Sequence, residues 1–267
     1  MNENRARAVL TYAGHVADRN DRGITGACLV GRELAARLGA RQDVRTDDAP
    51  ATSSGWRADL AQAFPGLTRL QTAHFAALAD LHTVFTTLPR CTSALATLPN
   101  LSSRPGVRIV WLDAHGDLNT PASTPTGYLG GMVLSAALGW WDSGLGGGLL
   151  PEDVLLVGAR DLDPFERGLV DDGMISLASG PAMLDTLDAF VADRPVYVHL
   201  DCDVLELGIV PTAYEVRGGL SLADLHAVAR RVGRNEVVGV EIAEVEASGA
   251  DPAGAVGRLL DALEPLT

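Results

Sequence analysis

The chain of 267 residues contains no lysine, and its basic residues are 21 arginines set against 34 acidic side chains. The net charge of −13 argues against nucleic acid as a partner, because phosphates would be repelled. A cationic small molecule suits that balance better. The glycine-rich loop at 144–148 has no strand before it and no lysine after it, which excludes a phosphate-binding P-loop. Cysteine is scarce too: Cys28, Cys91 and Cys202 are too few and too scattered for a disulfide framework. No run reaches the ~18 apolar residues of a transmembrane helix. Met1 to Arg5 precedes only a short apolar run without a signal-peptide core, so a soluble cytoplasmic chain with no membrane partner is expected. With 47% apolar residues and a mean hydropathy of +0.14, it can bury a large core. Its length fits one α/β domain spanning 1–267.

The chemistry is concentrated in the stretch Arg108 to Asp117. Ile109-Val110-Trp111-Leu112 is an apolar run long enough for one buried strand, and it ends in Asp113, His115 and Asp117. Residues spaced i, i+2, i+4 on extended backbone point to one side, so these three can converge. Strand carboxyl ends are where open α/β sheets place their chemistry. Alone, the stretch also fits a polar strand exit with one capping aspartate. A second buried run, Val196 to Leu200, ends in Asp201-Cys202-Asp203. Four aspartates and a histidine make a ligand set rich in hard oxygens, favouring Mn²⁺ or Mg²⁺ over thiolate-bound zinc. Like charges this close repel unless a cation lies between them. A dinuclear metal site is expected; the alternative is solvated loop aspartates that never meet.

These residues carry a family resemblance. Asp113-Ala114-His115-Gly116-Asp117, followed by Leu118-Asn119-Thr120-Pro121, resembles the central motif of the ureohydrolases, the arginase and agmatinase superfamily. Asp201-Cys202-Asp203 is similar to their second aspartate pair, and Val240 to Val245 resembles their closing strand. The matches run in the family's order from Phe85 to Ala247. The resemblance implies an arginase-like fold and two Mn²⁺ ions held by Cys91, Asp113, His115, Asp117, Asp201 and Asp203. Asp113 and Asp201 would bridge, with Cys91 and Asp117 completing one site and His115 and Asp203 the other. Glu244 would hold the substrate guanidinium, and Glu244 and Asp117 are the implied catalytic residues. Asn119 and Thr126 fall where the family binds an α-carboxylate, though ordinary turn chemistry also explains them. Asp163, in Arg160-Asp161-Leu162-Asp163-Pro164, falls where it binds an α-amino group; it also fits a helix cap.

Three departures stand out. Cys91, in Leu88-Pro89-Arg90-Cys91-Thr92, replaces a histidine ligand. A cysteine there is commonly a buried filler, whereas a helix N-terminus and a nearby cation both favour a thiolate, a soft partner for Mn²⁺. Gly130 stands where the family keeps a proton-shuttling histidine, and is expected to leave room in the substrate site. Leu205-Glu206-Leu207 replaces Leu-Asp-Pro, which bears on loop shape more than on metal binding.

The remaining pattern predicts strands at 8–12, 83–87, 154–158, 174–177 and 237–240, with a short edge strand within 42–55. Helices are expected at 27–38, 57–64, 68–80, 92–98, 132–140, 181–190 and 253–264, with another capped by Ser221 and Asp224. Alternation of this kind gives a three-layer αβα fold with a mostly parallel sheet of about eight strands. His199 falls inside a strand and His226 on a helix, while His15, His74 and His82 match no family position, and all five are read as structural or surface residues.

The resemblance implies hydrolysis of a guanidino group on a small-molecule amino acid. Cys91 and Gly130 together, with 92–99 and 127–135, are similar to a branch of the family acting on Nω-hydroxy-L-arginine to give hydroxyurea and ornithine. The alternatives are an ordinary arginase, agmatinase or formimidoylglutamase, or a non-catalytic descendant that binds a metabolite or partner. Asn119, Thr126 and Asp163 favour an α-amino acid over agmatine.

Overall fold

A computed structural model describes residues 7–18, 20–48, 50, 54–80 and 83–267. The amino-terminal residues read above for a signal sequence, and His82, lie outside these. Eight strands form one fully parallel sheet: β1 (Arg7–Ala13), β2 (Gln42–Thr46), β3 (Thr83–Thr87), β4 (Arg108–Leu112), β5 (Val154–Val157), β6 (Ser176–Ala178), β7 (Val196–Asp201) and β8 (Val237–Ala243). Their order across the sheet is β2-β1-β3-β8-β7-β4-β5-β6. The three-layer expectation holds, and β2 is an edge strand as anticipated.

Helices cover both faces. Along β4, Ile109 and Trp111 pack into one core with α2 (Trp56–Ala79) and α3 (Val133–Ala137); Val110 and Leu112 pack into the other with α1 (Arg22–Leu38), α5 (Met183–Val191), α6 (Leu222–Val232) and α7 (Pro252–Ala262). This alternation is why the strand reads as continuously apolar: both faces are buried. Each such side chain contributes about 1.5–3 kcal/mol by leaving water.

Several helices differ from expectation for physical reasons. The segments expected at 57–64 and 68–80 are one helix running through Pro65, whose ring faces solvent. The buried row Leu60, Ala63, Leu67, Leu70, His74 and Leu78 holds it together across the break. The helix expected at 92–98 is instead two 3-10 turns, Cys91–Leu95 and Leu98–Ser103. Pro99 disfavours helical backbone at Leu98. The α3 segment is shorter than expected because Gly139, at φ 78°, ends it with a left-handed residue. The fourth helix, α4 (Pro164–Asp171), starts at Asp163, and the Ser221/Asp224 capping box opens α6 as expected.

Candidate metal centre

The chain passes from β3 to β4 across a gap that β8 and β7 later fill, so the carboxyl ends of β3, β8, β7 and β4 lie side by side. Each delivers an expected residue: Cys91 follows β3, Glu244 follows β8, Asp201 ends β7, and Asp113 follows β4. Ligand atoms of Asp113, His115 and Asp203 lie within 4.8 Å of one another, and so do those of Cys91, Asp201 and Glu244. The two clusters partition the expected ligands, with one difference: Glu244 stands in the second where Asp117 was expected. Asp117 lies against Cys91 and lines the same cavity; among the described residues, its buried Oδ2 has no hydrogen-bond partner. Asp117 and Glu244 both adopt left-handed backbone, at φ 52° and 66°, a cost that non-glycine residues bear where a site demands their direction.

The next row of the sheet supports the first cluster. Trp111, His199 and Glu241 are register neighbours on β4, β7 and β8. Trp111 Nε1 donates to Asp113 Oδ2 at 3.0 Å, the His199 ring stacks on the indole with centroids 3.7 Å apart, and His199 Nδ1 meets Glu241 Oε2 at 2.8 Å. The structural reading of His199 holds. His74 is also buried, between Asn100 and Tyr197.

Electrostatics explain why this constellation calls for cations. Burial, then the neighbouring carboxylates, raise the carboxyl groups of Asp113, Asp117 and Asp201. Burial pulls His115 down, but contacts to Asp113 at 3.3 Å and Asp203 at 3.2 Å outweigh it and push the imidazole up to about 12. The cluster therefore holds positive charge tightly, as protons or as a cation that displaces them. Its donor set of carboxylates, imidazole and an unpartnered carboxylate oxygen fits divalent metal ions. Cys91 departs from expectation in state rather than place. Its segment is a 3-10 turn instead of a helix, and burial, then Asp117 and Glu244, raise the thiol well above its ordinary range. Without a cation beside it, it is a thiol.

A cavity of about 420 Å³ opens onto these residues. Asn119, Thr126 and Asp163 line it as expected, and Asn119 Nδ2 donates to Asp163 Oδ2 at 2.8 Å. Asp163 is also the helix cap: Glu166, three residues on, accepts its backbone N–H, and accepts that of Leu118 with its other oxygen. Both readings of Asp163 are thus compatible, and Glu166 ties the 113–118 loop to the 161–164 loop. A side chain at Gly116 would meet that carboxylate at 2.9 Å, which explains the glycine.

Gly130 does not occupy its expected place. A Cβ there would lie 2.3 Å from Cε1 of Tyr128, whose ring fills that space and itself lines the cavity; Gly130 does not. The absent histidine therefore leaves no room for substrate. Glu206, in the divergent loop, accepts the N–H groups of Leu207, Gly218 and Gly219 and so ties that loop together, while Asp201 and Asp203 each stand in one of the two ligand clusters. Sequence reasoning missed Tyr128, Tyr214 and Arg90. Tyr214 stands edge-on to His115, with ring centroids 5.8 Å apart. The Tyr-Leu-Gly-Gly run was in view, but no residue pattern signals which ring fills a neighbour's vacancy.

Comparison with known proteins follows the same lines. Residues 86–255 match the family model described as "Arginase family". Over 261 residues, 96% of each chain, the sequence is 38% identical to the N(omega)-hydroxy-L-arginine amidinohydrolase of Streptomyces lavendulae. Among solved structures, arginase from Bacillus subtilis superposes with a TM-score of 0.80 at 21% identity, covering 97% of this chain and 98% of that one. Entamoeba histolytica arginase in complex with L-ornithine superposes with a TM-score of 0.82 at 20% identity and the same coverage. At these identities the structural likeness bears on the fold.

Proposed function

Because the chain belongs to the arginase family, we propose that it hydrolyses the guanidino group of Nω-hydroxy-L-arginine, releasing hydroxyurea and ornithine. It is a hydrolase of amidino compounds. The observation that carries the substrate class is the set of polar groups that share one cavity. Buried carboxylates of Asp117, Asp201, Asp203 and Glu244 line it from the strand ends, and Asn119, Thr126 and Asp163 line it from the 119–126 and 161–164 loops. An α-amino acid with a basic or polar side-chain head matches both groups; agmatine, lacking the carboxylate, leaves Asn119 and Thr126 unused.

In this reading Asp113, His115 and Asp203 hold one divalent cation, and Cys91, Asp201 and Asp117 hold the other, with Glu244 beside them. The oxygen-rich donors favour Mn²⁺. When bound, such ions supply Lewis-acid activation of water near neutral pH. The chain's own residues position the reaction. Glu244 fixes the guanidino group by hydrogen bonds, Asp163 meets the α-ammonium group, and Asn119 and Thr126 meet the α-carboxylate. Asp117, with one carboxylate oxygen given to the cation site, takes a proton on the other as water adds to the guanidino carbon. It then returns a proton to the side-chain nitrogen of ornithine as the carbon–nitrogen bond breaks. The N-hydroxyl group makes the guanidino head less basic, so the reaction depends less on a dedicated shuttle, and this chain has none at position 130.

Incubating Mn²⁺-loaded protein with Nω-hydroxy-L-arginine should yield hydroxyurea and ornithine in equal amounts. Ornithine without hydroxyurea, or no product with metal bound, would reject the assignment.

A further inference from the structure

The carboxylate that this reading gives to the substrate is already paired. Glu244 Oε2 accepts from Arg90 Nη1 at 2.7 Å, and Glu244 Oε1 accepts from the backbone N–H of Cys91 at 3.0 Å. Arg90 is 2% exposed, and its other donors reach Asp18 at 3.0 and 3.2 Å and Glu246 at 2.8 Å. Its guanidinium is therefore spread over three carboxylates from two chain segments, Asp18 on one and Glu244 and Glu246 on the other, with Arg22 sharing Glu246. The arginine charge is permanent. Each Glu244 oxygen keeps a lone pair for a further donor, and the side chain lines the cavity.

Any guanidino head that reaches Glu244 meets a resident guanidinium on the same carboxylate. Two cations within ~4–6 Å in a desolvated cavity repel strongly. Arginine's head arrives only as a cation, whereas an N-hydroxyguanidine can bind neutral and still donate to Glu244. We infer that Arg90 is a specificity-determining residue: by partly neutralising Glu244, it turns an anchor for cations into a hydrogen-bond acceptor that prefers the N-hydroxylated head over arginine's. This rests on the proposed function, because Glu244 must face the guanidino group.

The test compares binding of L-arginine and Nω-hydroxy-L-arginine by calorimetry in chelator-treated protein, where no turnover intervenes. The variants are R90Q/E246Q, which removes one charge of each sign and leaves the cluster's net charge unchanged, and R90K, which keeps the charge. The natural protein should bind hydroxyarginine the more tightly. In R90Q/E246Q the ratio of the two Kd values should shrink at least ~10-fold, mainly through tighter arginine binding, with cooperative thermal unfolding retained. R90K should keep the ratio within ~3-fold. An unmoved ratio in folded R90Q/E246Q overturns the inference. Should that variant not fold, a collapsed ratio in R90K overturns it, and a retained one supports it. Absence of hydroxyurea formation by the natural protein counts against the proposed function, whereas an unmoved ratio alongside hydroxyurea formation counts against Arg90 alone.

Discussion

Trp111 Nε1, on β4, and Asp113 Oδ2, two residues on and just past the strand's carboxyl end, are joined by a 3.0 Å hydrogen bond that fixes which way the first aspartate of the central motif points. The other Asp113 oxygen accepts the N–H of His115 at 2.7 Å, so the carboxylate is oriented before any cation arrives. Partners behind a metal ligand typically account for 10–100-fold in metal affinity. Trp111→Phe keeps the packing and the stacking surface for His199 while deleting the donor. A Mn²⁺ titration should show one site weakened by roughly 10-fold or more. Unchanged affinity at both sites would mean that the bond does not set the carboxylate's direction.

The two metal sites should differ in the natural protein. One cluster offers carboxylates and imidazole, whereas the other includes a buried thiol that must lose its proton to bind, against a pKa raised by burial and by Asp117. Mn²⁺ should therefore fill the sites unequally, and Cys91→His should tighten the weaker by roughly 10-fold, since imidazole needs no deprotonation near neutral pH. Two equal, tight sites in the natural protein would contradict this.

The strand ends were legible in the sequence because apolar runs stop abruptly at Asp113 and Asp201, and parallel strands place those ends on one edge. The partnership of Arg90 with Glu244 was not, since 154 residues separate them and no local pattern couples the two. The error at 92–98 has a similar origin: Cys91 to Leu101 is buried throughout, so no polar face was present to reveal its period. At Gly130 a motif could say which residue was missing but not that the Tyr128 ring had taken its volume. Glu241, on the same closing strand as Glu244, faces His199, 42 residues away in sequence, and no local pattern shows that pairing either.

Restoring a histidine at position 130 should harm rather than help. Any side chain there must displace the Tyr128 ring, which lies 2.3 Å from the new Cβ. Gly130→His should lose stability by the ~1–3 kcal/mol typical of overpacking and lower turnover of either amino acid. The double variant Gly130→His/Tyr128→Gly should recover part of the stability. Thermal melts and initial rates check both; a fully active, equally stable Gly130→His protein would contradict the packing.

His74 gives the fold a sensitivity to mild acid. Burial, only partly opposed by Glu241, pushes its imidazole down to about 4. Unfolded, it takes up a proton near pH ~6.5, whereas folded it stays neutral until about pH 4. Between those values the unfolded state binds more protons, so stability falls as pH falls, by about 3 kcal/mol in total. His74→Gln should flatten that part of the profile in denaturant melts run from pH 7 to 4. An unchanged difference between pH 7 and pH 4 in the variant would assign the loss to other groups.

The central claim is the substrate, and the ratio of kcat/KM for Nω-hydroxy-L-arginine to that for L-arginine tests it most directly. With no shuttle at position 130 and Arg90 on Glu244, hydroxyarginine should be favoured by at least ~10²-fold, the low end of a general-acid effect. A ratio at or below one in Mn²⁺-loaded natural protein would contradict the account and leave an arginase.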